Sequence, residues 1–331
     1  MEKKYFVEID VFKGISILLI ILLHSQCEFP IDLRGAEDLH YVRSCIRFLS
    51  PNALFFFASG FLFCHSLKQD MKLFVKKKAT RLLIPMLVFG FVAYLEKKLG
   101  SNFVHTPSDE GFLDWLGGVF LGKRYWFLYS LFWMFFLNKL FSKYQWVLAL
   151  IFTFMSVLFV TGDMDTIQKT IYYNLFFFVG SKIGAWSNYD QISRYIKSAR
   201  IPMVITSLLT LFISIVLVDR YYDEGSIICI YLLHYLFPWI AFCCLWILSI
   251  LIGKASLLIF FGKYSLQFYL NHLLIILVSF YGAAYMYKYV HSYWLAEVFI
   301  ILLTTAFSTV MLYIEKFLAR KNKVFKLVFG L

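Results

Sequence analysis

Apolar runs long enough to cross a bilayer recur along this chain, each parted from the next by a short polar stretch. A hydrocarbon layer about 30 Å thick is crossed by roughly 20 apolar residues in a helix, and it offers no water to bare backbone groups. Runs of this length therefore mean helices rather than barrel strands. They fall at residues 11–29, 52–67, 82–95, 125–140, 146–161, 171–186, 201–218, 226–252, 264–286 and 294–318. The expected fold is an all-α integral membrane protein, a polytopic bundle of about ten transmembrane helices. Composition agrees, because 61% hydrophobic and only 16% charged residues over a length of 331 is not the mixture of a water-soluble domain. Residues 1–331 then read as a single transmembrane domain with no appended soluble domain. The first run is too long for a signal peptide and lacks a small-residue cleavage site, so it is read as a retained helix.

The formal net charge of +12 does not point to nucleic acid, since the cations sit between hydrophobic runs instead of among polar, groove-reading segments. That placement is a topology signal and a means of meeting anionic lipid or ligand. Basic connections (Lys3/Lys4, Lys68 to Arg81, Lys139/Lys143, Arg194/Lys197/Arg200, Lys254/Lys263, Lys316 to Lys326) alternate with acidic ones. The acidic set is Glu28 to Asp38, Asp109/Glu110/Asp114, Asp163/Asp165 and Asp219/Asp223/Glu224. Only the connection at 287–293 is uninformative, and the alternation predicts that both termini are cytoplasmic. Cys27 and Cys45 would share one loop, where a disulfide can form if that loop faces an oxidising compartment; the other four cysteines fall in apolar runs. No metal-ligand spacing occurs.

The first run carries the chemistry. Asp10 and Lys13 stand at one end, His24 follows eleven residues after Lys13, and Glu28 follows four after His24. On a helix the step from Lys13 to His24 is about three turns, so both project to one face roughly 16 Å apart. Glu28 is within reach to orient the imidazole. The plain alternative is a lysine snorkelling to the interface, a histidine that only packs, and an interfacial carboxylate. By rise per residue, His24, His234 and His272 all lie near mid-membrane, where an ionisable group faces a cavity or a partner rather than lipid. His65 falls near the cytoplasmic end of the second run, and His40, His105 and His291 in outer loops.

Several segments together resemble one family. Asp10…Lys13-Gly14…His24, the run Pro51 to Leu62 ending in Ser59-Gly60-Phe61, and the basic cluster Lys78-Ala79-Thr80-Arg81 leading to Pro85 are similar to its first three motifs. Tyr125-Trp126-Phe127-Leu128 and Gly262 to His272 are similar to its fourth-helix and late-helix motifs. The family is the membrane-bound acyltransferase family 3, bacterial proteins that move acyl groups, often acetyl from acetyl-CoA, onto cell-surface sugars. The chain departs from it in carrying Lys78 where the family has the first of two arginines, so a bidentate phosphate contact is lost there. Some members also carry an extracytoplasmic hydrolase-like domain.

The resemblance implies an O-acyltransferase of the bacterial inner membrane, with acyl-CoA as donor and no metal, and a glycan or lipid-linked sugar as acceptor. It implies His24 as general base with Glu28 beside it, Lys13, Lys78 and Arg81 as the grip on CoA phosphates, and Asp10, Trp126, Tyr264, Ser265 and His272 as pocket residues. The competing reading is a carrier or flippase of a lipid-linked sugar or polysaccharide. It would be supported by internal repeats or paired broken helices. Neither is evident, and Pro238 interrupts a late run without a counterpart in the first half.

Overall fold

The computed structural model describes residues 5–27, 49–99, 110–123, 125–160, 162–222 and 227–331, which are helical almost throughout and contain no strand. In chain order the helices are α1 (Val7–Cys27), α2 (Pro51–Phe63), α3 (Met71–Leu99), α4 (Phe112–Phe120), α5 (Trp126–Leu140), α6 (Gln145–Val157) and α7 (Thr166–Gly184). They continue as α8 (Tyr189–Ser198), α9 (Arg200–Tyr222), α10 (Ile227–Tyr231), α11 (Phe237–Ile252), α12 (Ser256–Lys263), α13 (Ser265–Val290), α14 (Tyr293–Lys321) and α15 (Lys323–Val328). Two compact units result: Met1–Leu18, Tyr41–Met71 and Trp133–Lys263 form the first, and Leu19–His40, Lys72–Phe132 and Tyr264–Leu331 the second. Helices α1 and α5 each give part of their length to both.

Among the described residues, four helical segments are long and apolar enough to cross a membrane: Met71–Leu99, Arg200–Leu217, Ile228–Ile252 and Trp294–Lys321. Their outward faces are apolar. On α9, for instance, Ile201, Ile205, Leu208 and Phe212 are each more than half exposed, a surface that lipid covers and water does not.

The first unit is held by aromatic packing and by helices in backbone contact. Phe57 of α2 lies with its ring centroid 4.2 Å from Phe242 and 4.8 Å from Trp246, both on α11, and Phe12 of α1 joins them edge-on. Helices α2 and α7 pack so closely that a side-chain carbon at Gly60 would overlap the Phe177 carbonyl, and one at Gly180 the Phe57 carbonyl. This is small-residue packing, which gains dispersion contacts where no hydrophobic drive between helices exists. It also gives the Ser59-Gly60-Phe61 segment a structural reason.

Several elements differ from the sequence expectation. The third run, expected to start at residue 82, begins at Met71, because the lysines before it are good helix formers and simply extend α3. The run at 226–252 is broken by a π-helical turn, Leu232–Leu236, just ahead of Pro238. Three connections expected as loops hold short helices, α4, α8 and α12. In α8 the buried residues Tyr189, Ser193 and Ile196 recur at helical spacing, and α4 buries Trp115, Gly118 and Val119. At ten and nine residues neither is long enough to register as a span.

Candidate functional site

In the second unit, the C-terminal part of α1 meets α13. His24 Nδ1 lies 2.9 Å from the Ile20 carbonyl of its own helix, and His272 Nδ1 lies 3.0 Å from the Phe268 carbonyl of α13. A carbonyl oxygen only accepts, so each Nδ1 carries a proton, and in the neutral form of each ring Nε2 is the basic nitrogen. His272 Nε2 is 3.4 Å from His24 Nδ1, and the two rings meet edge-on with centroids 5.0 Å apart. His272 thus turns its lone pair toward the N–H of His24, which leaves Nε2 as the basic nitrogen of His24. His272 is fully buried, whereas His24 is half-buried and borders a cavity of about 240 Å³.

Five aromatic side chains line that cavity: Tyr94 on α3, Trp115 on α4, Tyr125 and Trp126 at the start of α5, and Tyr269 on α13. Lys97, Glu110 and Lys123 add charge. The wall is tied down by single hydrogen bonds. Trp115 Nε1 donates to the Gly90 carbonyl at 3.2 Å, and the Tyr125 hydroxyl donates to the Leu270 carbonyl at 3.3 Å. Tyr125 has φ +48°, a left-handed backbone conformation that a bulky residue rarely adopts and that concentrates at functional positions. On α1, the residue after His24 is Ser25, and its hydroxyl hydrogen-bonds the buried carboxylate of Glu297 on α14.

Other residues singled out in the sequence fall elsewhere. In the first unit, Lys13 Nζ is 2.7 Å from Asp10 Oδ1, and the Tyr5 hydroxyl donates to the same carboxylate at 2.7 Å. Burial and that carboxylate push the Tyr5 pKa up, so the phenol keeps its proton. Lys263 Nζ stands 5.3 Å from the Tyr5 ring centroid. Helices α1 and α12 touch through glycine here, since a side-chain carbon at Gly262 would overlap the Asp10 carbonyl. Lys13 is therefore a paired ammonium and Asp10 its partner.

In the second unit, Arg81 is exposed near the start of α3, with Lys78 one turn before it and 5.6 Å from the Phe74 ring centroid. Arg81 lies thirteen residues before Tyr94, about 20 Å along the helix from the cavity wall. Tyr264 and Ser265 stand at the beginning of α13, away from the cavity, where the Tyr264 hydroxyl accepts from Lys316 Nζ at 3.0 Å. His234 lies in the π-turn of the first unit. Glu28 and Cys45 lie outside the described residues, as does the side chain of Cys27.

The structure thus brings together His24, His272 and Trp126. Sequence reading missed Tyr94, Lys97, Glu110, Trp115, Lys123 and the bond from Ser25 to Glu297. Nothing in local spacing signals them, because they arrive from four separate segments. The equal depth of His24 and His272, by contrast, was legible and is the signal that they meet.

Neither a curated protein nor a solved structure matches this chain. The family model described as an acyltransferase domain matches residues 6–313, nearly the whole length and across both units. With its long apolar helices, the chain is a multi-pass membrane protein and belongs to acyltransferase family 3.

Proposed function

We propose that this protein is an O-acyltransferase of the bacterial inner membrane that moves an acyl group, acetyl in the first instance, from cytoplasmic acyl-CoA to a hydroxyl of a cell-surface glycan or lipid-linked sugar. The observation that carries the reading is the neutral histidine pair at the cavity wall, with Nε2 of His24 as its basic nitrogen.

Acyl transfer from a thioester to a hydroxyl needs a base for the hydroxyl proton and a means of holding the charge that the base acquires. His24 Nε2 takes the proton as the acceptor oxygen attacks the thioester carbonyl. The C–S bond breaks and its electron pair leaves on the CoA sulfur. The imidazolium then formed at His24 is stabilised at Nδ1–H by the Ile20 carbonyl and by the lone pair of His272 Nε2. His272 is a positioning residue in this scheme: held by Phe268, it fixes the tautomer and accepts part of the charge.

The acceptor class is supported by the cavity wall. Flat aromatic faces at Tyr94, Trp115 and Trp126 suit a sugar ring, and a few charged groups beside them suit its hydroxyls. For the donor, Lys78 and Arg81 at the start of α3, with Lys13 of α1, are the cations proposed to meet CoA phosphates. Arg81 is the stronger candidate, because a guanidinium can bond two phosphate oxygens in a fork and an ammonium cannot.

The test is transfer from labelled acetyl-CoA to a non-protein fraction of membranes that contain the protein. Label should appear in that fraction with the parent chain and fall to background with His24→Ala. Equal labelling of membranes with and without the protein would overturn the proposal.

A further inference from the structure

The hairpin of α13 and α14 in the second unit contains polar groups that neither the cavity nor the histidine pair uses. Along α14, Glu297, Thr304, Ser308 and Glu315 are all buried, and their spacings of seven, four and seven residues put them on one stripe of the helix. The stripe is about 27 Å long, close to the thickness of a hydrocarbon core. On the facing helix, the buried amide of Asn271 lies beside the Glu315 carboxylate. Near the other end, Gly282 abuts Phe299 and Leu303. The antiparallel register between these points sets buried Ser279 level with Thr305.

Hydroxyls inside membrane helices usually donate back to the carbonyl one turn earlier. Thr309 does so to Thr305, and Ser16 does so to Phe12. The hydroxyls of Ser279, Thr304, Thr305 and Ser308 do not, and none of the four has a hydrogen-bond partner among the described residues. Hydrophobic packing would not select so many buried polar atoms along one seam, since a buried polar group left without a partner is destabilising. Ionisable groups within a membrane segment characteristically mark proton or ion pathways.

We propose that the α13–α14 seam is a hydrated proton route that connects the His24 site to the cytoplasmic side. Ser25, next to the base, bonds Glu297 at one end, and Glu315 stands at the other, six residues before the end of α14. The inference rests on the acyltransfer reading, and its steps balance. The acceptor O–H bond breaks and its proton passes to His24 Nε2. The new C–O bond forms, and the C–S bond breaks to leave CoA thiolate. The proton on His24 enters the seam at Glu297 and leaves past Glu315. On the cytoplasmic side it converts the departing thiolate to CoA thiol.

Two measurements on the full-length protein in native membranes test the route. In the first, Thr304→Cys and Ser308→Cys are treated from the cytoplasmic side with a small methanethiosulfonate reagent, and the modified peptide is read by mass spectrometry. Only a thiol in contact with water forms the reactive thiolate. Both should label at least tenfold faster than Val310→Cys, which lies on the exposed, lipid-covered face of the same helix. In the second, Glu315→Gln should lower kcat for acetyl transfer by tenfold or more while acetyl-CoA affinity stays unchanged, and Glu315→Asp should restore most of the rate. A merely structural carboxylate would not give rescue with an unchanged affinity. Labelling no faster than at Val310→Cys overturns the hydrated seam, and labelling with full activity in Glu315→Gln overturns the proton route. Failure of the acyltransfer reading is distinguishable, because the parent chain itself then transfers nothing while the labelling result stands on its own.

Discussion

At the scale of single residues, the assignments separate a base, a positioning group and an anion grip, and each has its own kinetic signature. His24→Ala should leave acyl-CoA binding nearly intact while turnover falls by roughly two to four orders of magnitude, the usual range for general acid–base work. His272→Ala removes the lone pair facing His24 Nδ1–H but not the base itself. Turnover should therefore drop less, and acyl-CoA affinity should be unchanged in equilibrium binding to membranes. Equal losses in the two variants would contradict the division of roles. Arg81→Ala should raise the apparent KM for acyl-CoA more than Lys78→Ala does, following the fork geometry of guanidinium. The pair of Lys13 and Asp10 makes a further distinction. Because the ammonium already has a carboxylate at 2.7 Å, Lys13→Ala should change donor KM less than Arg81→Ala. The same KM series settles the order.

At the scale of elements, helix existence was legible in the hydrophobic runs, and helix boundaries were not. The start of α3 was missed because hydropathy measures what lipid accepts, whereas helix formation depends on backbone and rotamer freedom, in which lysine does well. The short helices α4 and α8 were missed for the opposite reason: their apolar faces are real but too brief for a span. The Ser59-Gly60-Phe61 segment was legible as a motif and not as a contact, since its partner, Gly180, lies on α7 and only folding brings the two backbones together. The site shows the same limit. His24 stood out within one run, whereas its hydrogen-bonded neighbour lies 248 residues away and could be matched only by depth. The glycine contact yields a prediction at this scale. Gly60→Ala must push α2 from α7, an overpacking cost of about 1–3 kcal/mol or more, and should lower the melting temperature of the detergent-solubilised protein. Gly117→Ala, where an added carbon meets nothing, should leave it unchanged.

At the scale of the whole molecule, orientation decides whether the proposed chemistry is possible at all. Acyl-CoA is cytoplasmic, so the cationic start of α3 has to face the cytoplasm, and the acceptor has to approach from the other side. The sequence carries this information in its charges. The connections at Lys68 to Arg81 and Arg194 to Arg200, and the tail from Arg320 to Lys326, are richer in lysine and arginine than the connections next to them, and a positively charged loop resists translocation. The expected even number of crossings, about ten, would put both termini in the cytoplasm. A reporter active only in the cytoplasm and fused after Leu331 should be active, and a single cysteine introduced between residues 34 and 47 should react with an impermeant reagent from outside intact cells. An outward-facing C-terminus would contradict this charge bias, turn Lys78 and Arg81 away from their donor, and reverse the direction in which the α13–α14 seam carries a proton.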